Sequence, residues 1–365
     1  MKKNKQKFWQ YPGFIETFKK ENKLDLGQGN TPLEDHSYLL KTYHKNSKLF
    51  LKREDLNPNG SFKDRALAYQ ISHLKQNKSK YCVLSSSGNA AISCCAFCQK
   101  NDLKPIILIS PTTPPNKISQ IIAKNPHLII KSKKAYRLAK YISRKYSIPL
   151  LNPSHDNRAI TGFETLGWEI NNQLPNCEAI FSYCTSGASI IGLHNFYYKN
   201  PIISKPQIIG VQSGQQTFLA KELFHQIFSA QKQLAGDNSL IKPKRAKEIY
   251  IKLHQKINPA DYSNQKIFIP VIKLIPQGLI HWVNNQKIIE AYQKLQQNHI
   301  NSSLEGAASL AAALEFIEYY HLQSTVVIIS GTEHDTISSP SKINEYLAEN
   351  IQDIDSILSQ KNINK

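Results

Sequence analysis

The chain has 365 residues, room for about two ordinary domains at roughly 150 residues each. Lysine and arginine outnumber aspartate and glutamate by 46 to 27 for a net charge of +19, yet only 20% of residues are charged and 41% are hydrophobic. That balance excludes a disordered polyelectrolyte and a disulfide-stapled miniature, and no run reaches the ~18 apolar residues that a membrane-crossing helix needs.

In chain order, the basic start Met1-Lys2-Lys3-Asn4-Lys5-Gln6-Lys7 lacks the apolar segment of a signal peptide, so the expected compartment is the cytoplasm. Residues 49–52 read as a strand, Asn57-Pro58-Asn59-Gly60 as a turn, and the stretch beginning Ser61-Phe62-Lys63-Asp64-Arg65 as a helix start. Short Ile/Val-rich runs then recur at 81–84, 105–109, 127–130, 179–181, 207–211 and 325–329, separated by helical patterns from about Ala90, from Asn116 to Lys124 and across 131–146. Continuous apolar strands spaced by helices mark buried parallel sheets, and the class is α/β. In the last helix Ala135, Leu138, Ala139 and Ile142 form one stripe, leaving Lys133, Lys134, Arg137, Lys140, Arg144 and Lys145 as a solvated face. A second basic stretch spans 242–256, and with no nucleic-acid motif beside either, no nucleic-acid partner is expected.

Six cysteines in an unexported chain are expected to be reduced. Cys94, Cys95 and Cys98 sit in an apolar helical pattern and, like Cys177 and Cys184, read as small core residues; no metal is assigned. No Gly-x-Ser-x-Gly, His-Glu-x-x-His or P-loop pattern is present, so hydrolases of those types lack their motif.

Chemistry concentrates in three strand-turn-helix units. Lys63 stands just inside a helix N-terminus, where the positive helix end disfavours an ammonium; a lysine so placed is suited to bind a carbonyl cofactor. Ser85-Ser86-Ser87-Gly88-Asn89 opens the next helix as a cluster of N–H groups fit for a carboxylate, and Thr185-Ser186-Gly187-Ala188-Ser189 opens another fit for a phosphate.

These residues resemble the fold type II pyridoxal-phosphate enzymes, the tryptophan synthase β-like superfamily, and within it threonine synthase most of all. Leu26-Gly27-Gln28-Gly29-Asn30-Thr31-Pro32-Leu33 is similar to that family's N-terminal signature and residues 57–65 to its cofactor-lysine signature; Asn157-Arg158, Gly162-Phe163-Glu164-Thr165, Leu304-Glu305-Gly306 and Ser330-Gly331-Thr332 continue the likeness. The resemblance implies two parallel-sheet domains, 1–60 with 160–365 and 61–159, holding pyridoxal 5'-phosphate in the cleft between them. It implies that Lys63 carries the cofactor and moves protons. Asn89 would bond the ring hydroxyl, residues Thr185, Ser186, Gly187, Ala188 and Ser189 the cofactor phosphate, and Ser330 the ring nitrogen. Ser86, Ser87 and Gly88 would hold the substrate carboxylate and Arg158 an anionic substrate group. The implied activity is conversion of O-phosphohomoserine and water to threonine and phosphate, with a threonine or serine ammonia-lyase or a cysteine synthase-like β-replacement enzyme as the alternative. The implied partner is a small amino acid, with no membrane and a homodimer as the assembly to test. Two departures weigh on the substrate: Ala90 and Pro153 stand where threonine synthases carry hydroxyl residues, and residues 221–279 align poorly.

Overall fold

Eleven strands and nine α-helices alternate along the described part of the chain, because β-branched runs too apolar to expose must be covered on both faces by the helices that connect them. The computed structural model describes residues 8–14, 18–40, 46–153, 156–200, 202–213, 278–333 and 345–363. In order they are β1 (Leu33–Asp35), β2 (Lys48–Lys52), α1 (Lys63–Gln76), β3 (Tyr81–Ser85), α2 (Asn89–Gln99), β4 (Lys104–Ile109), α3 (Pro115–Ile122), β5 (Leu128–Lys131), α4 (Ala135–Tyr146), β6 (Leu150–Leu151) and α5 (Asn157–Gln173). Then follow β7 (Ala179–Tyr183), α6 (Ala188–Lys199), β8 (Gln207–Ser213), β9 (Gly278–Val283), α7 (Asn285–Gln297), α8 (Leu304–Tyr320), β10 (Ser324–Ile328), β11 (Glu345–Leu347) and α9 (Ile351–Gln360). Most of 221–279 and the whole basic stretch 242–256 lie outside the described residues.

The strands form two sheets. A six-stranded sheet runs β1-β2-β10-β7-β8-β9 and is parallel except for β1. Val326 sits opposite both Phe50 and Ile180, so β10 is sandwiched at its centre. The second sheet, β11-β5-β4-β3-β6, is wholly parallel. One apolar cluster joins the two, from Cys82, Leu84 and Ile107 through Ala66, Phe97 and Phe163 to Ile180, Ile208 and Val326.

One boundary drawn from the sequence moves. Residues 345–363, grouped there with the larger unit, return to the five-stranded sheet: Tyr346 of β11 pairs with Ile130 of β5, and Ile354, Ile357 and Leu358 of α9 cover Leu138, Ala139 and Ile142 of α4. The apolar stripe of α4 and the open edge of β5 need this cover, and a distant segment supplies it. Asp355 fastens it by accepting from Tyr141, Tyr146 and Lys145.

Beneath the start of α1 lies a fully buried ionic network. The Arg65 guanidinium donates to Glu54 at 2.7 Å through Nε and Nη2, and to Glu169 at 2.8 Å through Nη1 and Nη2. Lys52 donates to Glu169 Oε2 and to the Thr31 carbonyl, each at 2.8 Å. The Asn30 amide donates to Glu169 and the Thr31 hydroxyl to Glu54, so the loop 29–31 closes over the charges. Burial alone would raise the Glu169 pKa, but Arg65 and Lys52 hold it from its ordinary 4.5 down to about 2. The stability this carboxylate contributes is therefore present above pH 4.5 and is lost as pH falls from about 4.5 to about 2. Glu169→Ala leaves Lys52 buried without a carboxylate and Arg65 with Glu54 alone, and urea denaturation at pH 7 should show a loss of about 3–5 kcal/mol. A loss below 1 kcal/mol would mean that water or a neighbour replaces the carboxylate.

Candidate active site

Lys63 is the first residue of α1, and its backbone N–H donates to Ser61 Oγ at 3.3 Å. The turn before it is fixed by Asp64, whose carboxylate accepts from the Asn59 amide, the Asn59 side chain and Ser93 of α2. The loop after β10 is laced to the same turn: Phe62 N–H donates to the Ser330 carbonyl at 3.0 Å and Thr332 N–H to the Gly60 carbonyl at 2.9 Å. Residues far apart in sequence, Lys63 and Ser330, thus come to the same wall.

The Lys63 ammonium lies 4.8 Å from the centre of the Phe62 ring and 5.5 Å from that of Phe163. Burial between these rings lowers its pKa from 10.5 to about 8, while the Glu305 carboxylate pulls the other way. The direction expected from sequence is the one found, with burial as its cause.

Lys63 faces a cavity of about 180 Å³ whose walls include Ser86, Asn89, Ala90, all five residues from Thr185 to Ser189, Ser303, Glu305 and Ser330. Two helix N-termini meet there, α2 after Gly88 and α6 after Gly187, and neither is capped by a side chain. Helix starts without a side-chain cap suit a bound anion. Gly187 has φ of +83°, which lets the chain turn sharply from the Thr185 loop into α6; a side chain there would be strained. Gly88 belongs to an adjoining cleft of about 350 Å³ that shares Asn89, Ser303 and Glu305 with the cavity and adds Asn116, Lys117, Gln120 and Glu333. Ser87 is half-buried between Ser86 and Gly88 in the same turn.

Arg158 stands apart from this set. Its guanidinium donates to Asp156 at 2.9 Å from both Nε and Nη2, at the start of α5. Among the wall residues, Phe62, Tyr183, Cys184, Ser303 and Glu305 had no role from sequence. Phe62 and Glu305 fall within stretches that carried the family likeness, but which side chains reach the cavity is set by helix packing. Ser303 caps α8, accepting from the Gly306 amide, and nothing in its local pattern separates it from an ordinary N-cap.

The chain belongs to the family of pyridoxal-phosphate-dependent enzymes, whose model matches residues 24–331. It is 28% identical over 331 residues to the biosynthetic L-threonine dehydratase of Lactococcus lactis, covering 86% of this chain and 73% of that one. It is also 28% identical over 212 residues to the threonine synthase of a Bacillus species, covering 56% of this chain and 59% of that one. The fold is that of the maize serine racemase structure, with a TM-score of 0.64, 22% identity and coverage of 84% and 88% of the two chains.

Pyridoxal 5'-phosphate is the cofactor of this family, and the residues present fit it: one weakly basic lysine, an uncapped helix start for its phosphate, and a buried hydroxyl, Ser330, on the wall. Lys63→Ala should abolish covalent attachment of the cofactor and its visible absorbance; a borohydride-reducible adduct on another lysine would show that Lys63 is not the attachment point. In cofactor-free protein, reductive methylation of Lys63 should reach half its maximal rate near pH 8, well below the range of surface lysines. A Cβ on Gly331 would meet Asn89 Nδ2 at 2.8 Å, so Gly331→Ala should displace that amide and weaken cofactor binding, read by equilibrium dialysis. Unchanged affinity would show that Asn89 does not contact the cofactor.

Proposed function

We propose that the protein is an ammonia-lyase of a small β-hydroxy amino acid, threonine or serine, which leaves as its 2-keto acid and ammonia. The charge of the site carries this reading. Among the described residues of the inner cavity the one cation is Lys63, which holds the cofactor, while Arg158 is occupied by Asp156 and Ala90 lines the wall without a hydroxyl. A phosphate leaving group would be a dianion facing Glu305, whereas a hydroxyl needs no such counter-charge.

When bound, the cofactor supplies an electron sink for the bond broken at the substrate α-carbon. The chain does the rest. The turn Ser86-Ser87-Gly88 before α2, with its two hydroxyls, receives the α-carboxylate, and the turn of residues 185–189 the cofactor phosphate. Asn89 orients the ring through its hydroxyl. Lys63, with a pKa of about 8, is neutral in a substantial fraction near that pH and can accept the α-proton. Ser330 offers the ring nitrogen a neutral hydroxyl, which does not hold a proton there as a carboxylate would, and this favours elimination over transamination.

Purified protein given threonine, serine, O-acetylserine and O-phosphohomoserine in turn, with keto acid, ammonia, phosphate and threonine measured, tests the proposal. Keto acid and ammonia from threonine or serine are expected. Release of phosphate and threonine from O-phosphohomoserine alone would replace the reading with the threonine synthase reaction. Arg158→Ala should leave kcat/KM on the hydroxy amino acid within about twofold, since its loss removes no substrate contact. A fall of about 10- to 150-fold would instead place Arg158 on an anionic group of the substrate.

A further inference from the structure

Three cysteine sulfurs meet in the core behind α2. Cys82 of β3 lies 3.6 Å from Cys98 and 4.0 Å from Cys94, and Cys94 and Cys98 are 4.0 Å apart, sulfur to sulfur. All three are fully buried and unbridged. The sequence groups Cys95 with Cys94 and Cys98, but helical phase keeps Cys94 and Cys98 on one face and turns Cys95 elsewhere. The third sulfur comes from the strand packed against that face.

An ion held about 2.3 Å from three sulfurs needs them ~4.0 Å apart if it lies in their plane and ~3.8 Å apart in a tetrahedral arrangement. The observed triangle of 3.6 to 4.0 Å spans that size without rearrangement. No fourth histidine, cysteine or carboxylate among the described residues completes the group. Zinc would lack its usual fourth donor in a region from which solvent is excluded, whereas a soft monovalent ion is satisfied by sulfur alone. Ion binding would displace one thiol proton to solvent, so that a single thiolate balances the ion's charge while the other two sulfurs coordinate as thiols.

We propose that Cys82, Cys94 and Cys98 form a buried three-sulfur site for a single Cu(I) ion. The site pins α2 to β3, and α2 is the helix whose first residue, Asn89, lines the cofactor cavity. It stands on the core geometry and is independent of which amino acid the enzyme takes. Because the sulfurs have no solvent exposure, loading requires α2 to open locally and is slow relative to a surface site.

The test is an anaerobic titration of the cofactor-loaded protein with Cu(I) held by a coloured chelator, followed by X-ray absorption of the loaded sample. One ion per chain should leave the chelator, coordinated by three sulfurs at about 2.3 Å. Cys82→Ala and Cys98→Ala should lose this stoichiometric binding, while Cys95→Ala and Cys177→Ala, equally buried, should keep it. Cofactor absorbance and the thermal midpoint report whether each variant is folded; if Cys82→Ala does not fold, Cys94→Ala takes its place. Failure of the wild type to withdraw copper, retention of binding without Cys82 or Cys94, a two-sulfur spectrum, or preferential four-coordinate zinc binding would overturn the assignment.

Discussion

A buried guanidinium cannot discard its charge, and that constraint organises the molecule around Arg65. The two carboxylates that satisfy it come from Glu54, in the turn after β2, and from Glu169, three helical turns into α5, and Glu169 is shared with Lys52. Removing any one arrival leaves another charge unpaired in a medium where it is costly, so the parts must close together. Lys63 is two residues before Arg65 on the same helix. Its position in the cavity is thus a consequence of where the guanidinium must sit.

The loop 27–31 takes its meaning from the same network. It looks like a functional signature in sequence, yet its amides and hydroxyls serve Glu169, Glu54 and Asn57: Asn30 and Thr31 bond the two glutamates, and Gly29 N–H donates to Asn57 Oδ1 at 2.9 Å. The loop seals the charges from water and braces the turn that leads into α1. A specific motif here marks the scaffold of the site, and the cavity walls are built by other segments.

The site itself is electrostatically spare. Two helix starts supply positive ends, one lysine of lowered basicity supplies the amine, and Glu305 opposes the lysine from α8. Among the described residues the positive charge does not gather there: the exposed face of α4 carries a share of it, while Asn89, Ser303 and Glu305 wall both the inner cavity and the outer cleft. No helix among the described residues is long and apolar enough to cross a membrane.

Sequence by itself determined the α/β class, most strands and helices, and the local chemistry of each turn, because strand burial, helix starts and turn residues depend on near neighbours in the chain. Lys63 after Asn-Pro-Asn-Gly, the Ser86–Asn89 turn and the Thr185–Ser189 turn were all legible for that reason. Tertiary structure decided which of them face one another. Ser330 joins the wall that holds Lys63 through the lacing of residues 330–332 onto 60–62, and Glu305 reaches that wall because α8 packs on the six-stranded sheet. Cys82 joins Cys94 and Cys98 across a strand-helix contact, and α9 crosses back to cover α4. Each of these depends on contacts between segments distant in sequence, where the packing of whole elements, rather than local propensity, sets the outcome.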